Sequence, residues 1–147
     1  MEIGIATRDE LFDLLELYKQ LHPSIDMFSD FPKTSANRIW NQIERDRVKY
    51  FIAKDEGKII AACFIAIIPN LTYRGKSIGL IENVIVDEKY RRKGIGQRIM
   101  ELALKHAKEK RCYKVILQSG MQRTDAHKFY EKLGFNDKIT KGFEIRL

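Results

Sequence analysis

Ile81-Glu82-Asn83-Val84-Ile85-Val86, followed after a polar connection by Arg91-Arg92-Lys93-Gly94-Ile95-Gly96-Gln97-Arg98, decides how this chain is read. The first run is rich in β-branched residues and reads as a strand. The second opens a helix, from roughly Gly94 to Lys110, whose apolar stripe is Ile95, Ile99, Leu102, Ala103 and Ala107. The first amides of a helix have no intrahelical acceptor, and the helix dipole places partial positive charge at the same end. Glycines at 94 and 96 remove side chains, so a pyrophosphate can lie on those amides. Arg91, Arg92, Lys93 and Arg98 add Coulombic attraction. A dinucleotide fingerprint would need a third glycine where Ile99 stands, and a Walker loop would need Gly-Lys-Ser/Thr, which is absent. The plain alternative is a solvated basic turn before a helix.

Upstream, Ile3 to Ala6 reads as a short strand. Thr7-Arg8-Asp9-Glu10 has the form of a capping box, and Leu11, Leu14, Leu15, Tyr18 and Leu21 continue at helical spacing until His22-Pro23. Residues 23–34 read as a loop that partly packs over a binding cleft. A second helix spans Ser35 to Asp46, with Ile39, Trp40 and Ile43 on one face. Tyr50–Lys54 and Ile59–Ile68 form a hairpin about Asp55-Glu56-Gly57-Lys58. Ser77 to Val86 is a strand. Downstream come a strand at Lys114–Gln118, a helix at Asp125–Leu133, and closing strands at Gly134-Phe135 and Phe143–Arg146. Helices set between strands require crossovers, so the expected architecture is α/β with a mixed sheet covered on its faces. With no repeat, linker or low-complexity stretch, residues 1–147 are expected to form one domain.

Composition narrows the function classes. Hydrophobic residues make up 44% and charged residues 32%, as in an ordinary globular domain. The longest apolar run, Ile59–Pro69, is about half a bilayer span, and the N-terminus has no signal-peptide pattern. Cys63 and Cys112 match no zinc, redox or disulfide spacing, and His22 and His106 have no ligand neighbours, so no metal is expected. A cytoplasmic location and no membrane partner follow as expectations. The net charge of +7 calls for an anionic partner. The basic residues knot beside the glycines, which suits a compact phosphate group better than a nucleic acid.

The pattern Arg/Gln-x-x-Gly-x-Gly/Ala, here Arg91 to Gly96 after a Val-rich strand, resembles the coenzyme A motif of the GCN5-related N-acetyltransferases. Ala126-His127-Lys128-Phe129-Tyr130-Glu131-Lys132-Leu133-Gly134-Phe135 is similar to that family's second, C-terminal element, and the two occur in the family's order. The resemblance covers essentially the whole chain, although residues 7–46 match only in helicity. It implies an acyl-CoA N-acyltransferase-like fold: a mixed, mostly antiparallel central sheet of about six to seven strands flanked by about four helices. It also implies acetyl-CoA as cosubstrate, with backbone groups of Val84, Ile85 and Val86 pairing with the pantetheine arm. Arg91 would add charge to a pyrophosphate held on the amides of Arg92, Lys93, Gly94, Ile95, Gly96 and Gln97. The family's Asn three residues before the Ala is Arg123 here, so that contact is lost or falls to Arg123 or Thr124.

Acetyl transfer to an amine needs a base, because a free alkylamine has a pKa of about 10.4. Glu82, a lone carboxylate in an apolar strand, is the candidate base; a solvent-facing position is the alternative. A backbone amide near Val84 is placed to stabilise the carbonyl oxygen. The resemblance puts Tyr130 near the thioester sulfur as the proton donor to the leaving thiolate; its alternative is a core aromatic. His127 sits one helical turn before it. Within the family, the Glu82 strand and Cys112–Leu117 are similar to glucosamine-6-phosphate N-acetyltransferases, whereas Arg123–His127 resembles aminoalkylphosphonate acetyltransferases. The expected substrate is therefore a small-molecule primary amine. Alternatives are a protein or peptide amine, or a non-catalytic CoA-binding regulatory module. A homodimer through the C-terminal strand is a further expectation.

Overall fold

The computed structural model describes residues 1–147 as two units, Met1–Ile116 and Leu117–Leu147. All five strands belong to the first unit: β1 (Glu2–Ile5), β2 (Val48–Asp55), β3 (Lys58–Ile68), β4 (Ser77–Val86) and β5 (Cys112–Ile116). They lie side by side in the order β1-β2-β3-β4-β5, antiparallel except for the parallel β4–β5 pair. Glu56 (φ 48°) and Gly57 (φ 79°) supply the left-handed pair that a two-residue hairpin needs, so β2 and β3 join as expected.

The helices of this unit are α1 (Leu11–Tyr18), α2 (Lys33–Arg45), a single kinked turn α3 (Thr72–Gly75) and α4 (Ile95–Glu109). Glu10 takes the Thr7 backbone N–H at 2.8 Å, fixing the entry to α1 through a short 3-10 turn. Leu11, Leu14, Leu17 and Tyr18 then pack with Ala36 and Trp40 of α2 against Ile52, Ala62 and Ile85 of the sheet. Ile39 falls on the outer side of α2, 40% exposed, and Ala36 takes the inward position expected of it. Phe51 points to the other face, where its ring meets His106 of α4 at 5.8 Å. The buried side of α4 is Ile95, Ile99, Met100, Ala103 and Ala107, close to the stripe read from periodicity.

The second unit holds α5 (Thr124–Lys132). Gly134 (φ 94°) sends its N–H to Glu131 O at 2.9 Å, and Phe135 sends its own to Tyr130 O at 3.1 Å. Those two bonds make a Schellman cap, and the Tyr130 and Phe135 rings, 6.1 Å apart, supply its apolar contact. Gly134-Phe135 is therefore a helix stop and not a strand. Phe143–Arg146 pairs with no strand of this chain either. The sheet thus has five strands, fewer than expected from the sequence. No helix is long and apolar enough to cross a membrane.

Candidate acyl-transfer site

β4 carries an extra residue. Ala62 of β3 pairs with Ile85, yet Phe64, two residues on, pairs with Glu82, three residues back. Asn83 absorbs the mismatch with φ 53°, a backbone that Asn tolerates better than the β-branched residues around it. β4 also parts from β5 after Leu80, the last residue in the parallel register. From Ile81 to Val86 the strand therefore keeps β3 on one edge and has no strand on the other. An extended ligand can add to such an edge through main-chain hydrogen bonds. Val84 and Val86 are half-buried there, and Ile85 turns into the core.

Glu82 is half-buried and shares a face with its partner Phe64 and, one strand further, with Tyr50. The Tyr50 and Phe64 rings lie 5.3 Å apart, and Trp40 of α2 follows Tyr50 at 5.9 Å. The carboxylate thus stands at the end of an aromatic row on the α1–α2 face.

The chain then runs from the open strand into the helix mouth. Asp87 turns inward, 2% exposed. Its Oδ1 takes the Lys89 N–H at 3.0 Å, and its Oδ2 takes Lys58 Nζ at 3.0 Å and Gln20 Nε2 at 3.3 Å. Burial alone would raise this carboxyl. The hydrogen bonds from Lys58, the Lys89 amide and Gln20 outweigh it and hold Asp87 below the usual carboxylate value. Arg91 donates from Nε to the Val86 carbonyl at 3.1 Å, and Lys93 Nζ lies 5.0 Å from the centre of the Tyr90 ring.

Arg92 (φ 60°) and Gly94 (φ 75°) are both left-handed, and nothing stands within 4 Å of the Cβ position at Gly94. The helical ladder begins with Arg98 N–H to Gly94 O at 3.2 Å, so the amides of Ile95, Gly96 and Gln97 precede it. Arg91, Arg92, Lys93, Gly94 and Gln97 are exposed around them, whereas the Ile95 side chain anchors the turn in the core. A diphosphate fits this mouth: amides without helical acceptors, guanidinium and ammonium groups beside them, and open space over the glycine.

Tyr130 belongs to the second unit, where it is 8% exposed and packs against Phe129 at 5.3 Å as well as Phe135. His127 is tied by Nε2 to the Gly120 carbonyl at 2.9 Å, which fixes the turn that leads into α5. Arg123 immediately precedes α5 and is exposed. Two contributors escaped the sequence reading. Asn83 had a usable signal, a lone Asn among β-branched strand residues; Asp87 could be known only from its distant partners, Gln20 and Lys58. No group of three or more His, Cys, Asp or Glu residues is placed to hold a metal ion.

Known proteins resemble this chain in sequence and in fold. The profile described as "Acetyltransferase (GNAT) family" matches residues 10–135. A glucosamine 6-phosphate N-acetyltransferase of Trypanosoma brucei brucei is 31% identical over 140 residues, covering 92% of this chain and 88% of that protein. The crystal structure of glucosamine-6-phosphate N-acetyltransferase from Arabidopsis thaliana superposes with a TM-score of 0.80 at 26% identity, covering 99% of both chains. An aminoglycoside N-acetyltransferase solved with CoA shares the fold at 18% identity, with a TM-score of 0.76 and 99% of both chains covered.

Proposed function

The chain belongs to the acetyltransferase (GNAT) family and is an acetyl-CoA-dependent N-acetyltransferase, and from that premise we propose that its acceptor is the primary amine of a small anionic molecule, an amino sugar phosphate or an aminophosphonate. The observation that carries the acceptor class is the likeness, across 92% of this chain, to the Trypanosoma enzyme named for glucosamine 6-phosphate. The net charge of +7 favours an anionic acceptor as well.

Bound acetyl-CoA supplies an activated acetyl carbonyl and a thiolate leaving group. In our reading the open edge at Val84, Ile85 and Val86 aligns the pantetheine arm. The amides of Arg92 through Gln97, with Arg91, Arg92 and Lys93 beside them, hold the pyrophosphate. Glu82 accepts the proton of the incoming ammonium, directly or through water, so that the neutral amine forms the C–N bond. The Val84 N–H stabilises negative charge on the carbonyl oxygen. Tyr130 gives its proton to the sulfur as the C–S bond breaks, and the second proton of the attacking nitrogen, released through water, restores the phenol. This assigns Leu117–Leu147 to one catalytic domain with the first unit, in keeping with a family match that runs through residue 135. We infer also that two copies pair through Phe143–Leu147.

The test is acetyl-CoA consumption with glucosamine 6-phosphate, an aminoalkylphosphonate, a polyamine and a peptide amine. Turnover is expected with one of the first two. Glu82→Gln and Tyr130→Phe should each lower kcat by about 10²-fold while CoA still binds. Turnover with the peptide alone would overturn the small-molecule reading, and CoA binding without turnover of any amine would indicate a regulatory module.

A further inference from the structure

We propose that Asp87, held by Gln20 and Lys58, is a positioning residue that sets the pyrophosphate cradle before the cofactor arrives. The inference rests on the cradle reading above and adds what holds the cradle in shape.

Four observations carry it. Asp87 is a carboxylate with a side chain only 3% exposed, set where β4 ends and the cradle segment begins. A buried charge is costly unless satisfied, and its three donors come from three parts of the fold: the residue after next, the start of β3, and the turn that follows α1. Gln20 is used from both ends of its amide. Its Nε2 donates to Asp87 Oδ2, while its Oε1 takes the Glu88 backbone N–H at 3.3 Å. The peptide itself is pinned to the sheet, since Asp87 N–H donates to Ile60 O at 2.8 Å.

The consequence is a fixed starting point for the seven residues from Glu88 to Gly94, two of which, Arg92 and Gly94, adopt left-handed backbones. Glycine adopts that backbone freely, but a left-handed non-glycine residue such as Arg92 persists only when its surroundings over-determine it. The Asp87–Gln20 clamp anchors one end of that segment, and Ile95, 4% exposed, anchors the other. With both ends fixed, the amides of Arg92 to Gln97 meet the diphosphate without first being ordered, which lowers the entropy cost of binding. Lys58 makes the shorter side-chain bond to the carboxylate, but it bonds to no other part of the segment and its own side chain is 64% exposed, so water can take its place.

The experiment is calorimetric titration of CoA into folded wild type, Asp87→Ala, Gln20→Ala, Lys58→Met and Ile65→Ala, with thermal melts and amide exchange on each. Asp87→Ala is expected to weaken CoA binding about tenfold and Gln20→Ala about threefold, with Lys58→Met within about twofold of wild type. The Glu88 amide should exchange faster in Gln20→Ala. Ile65→Ala removes a fully buried side chain elsewhere in the sheet; it should lower the Tm more than Gln20→Ala and leave CoA affinity unchanged. If Asp87→Ala does not fold, Gln20→Ala carries the decision alone. The clamp is overturned if Gln20→Ala binds CoA like wild type, or if Ile65→Ala weakens binding as much. Wild type that takes up no CoA at all would remove the cradle itself, a failure visible before any variant is compared.

Discussion

Asn83 holds φ 53° in the middle of a strand, and the extra residue that β4 carries against β3 is absorbed at that one backbone angle. A β-branched residue there would have to adopt a left-handed backbone, at a cost of about 1–2 kcal/mol, or else pull the extra residue out of the bulge. Asn83→Val is therefore expected to lower stability by about that amount in urea melts and to raise the KM for acetyl-CoA, whereas Asn83→Gly should bind the cosubstrate like wild type. Equal KM values for the two variants would show that the bulge does not shape the site. At this scale the sequence was only partly legible. Glu82 stands out because a carboxylate interrupts an apolar run, and the glycines stand out because they precede a helix. Asp87 could not be recognised in the same way: its importance comes from residues 67 and 29 positions away, and local patterning carries no trace of such partners. Cys63 follows the ordinary rule for a buried thiol, and burial pushes it up to about 12.

Among the elements, the hairpin, β4 and α4 were readable to within a residue or two because each is marked by period and by turn chemistry. The segment after α5 was misread because Gly-Phe suits a strand start and a Schellman cap equally well in sequence. Only the bonds from Gly134 and Phe135 back to α5 separate the two. Gly94 and Gly134 now make a controlled pair. Both are left-handed, at φ 75° and 94°, and neither has an atom within 4 Å of a added Cβ position. Alanine at either site should thus cost a similar conformational energy, about 1 kcal/mol. Gly94→Ala distorts the helix mouth and is expected to weaken CoA binding, measured by calorimetry; Gly134→Ala is expected to lose the same stability and keep the affinity. Equal affinity in both variants would count against an amide cradle.

For the molecule as a whole, the unspent feature is the last stretch of chain. Phe143, Ile145 and Leu147 are 86%, 82% and 116% exposed, and they alternate with Glu144 and Arg146, which pair within the segment at 2.6 Å. That alternation is the pattern of a strand with one apolar face, yet no strand of this chain adds to it. The segment is also complementary to itself. Run antiparallel to a second copy about Ile145, it sets Phe143 against Leu147 and Glu144 against Arg146, with apolar residues on one face and opposite charges on the other. An interface of this kind is isologous, so it closes as a two-fold dimer and does not propagate. Burying such side chains stabilises by roughly 1.5–3 kcal/mol each, against which stand the lost freedom of association and the repulsion between two chains of net charge +7, the latter weakened by salt. Sedimentation equilibrium should accordingly show a concentration-dependent dimer for wild type. Ile145→Asp, which sets like charges against each other at the symmetry point, should be monomeric with unchanged CoA affinity, and Phe143→Ala should weaken the dimer without abolishing it. A wild-type protein that stays monomeric at about ten times the concentration used for assay, or an Ile145→Asp variant that dimerises equally well, would place self-association outside this segment.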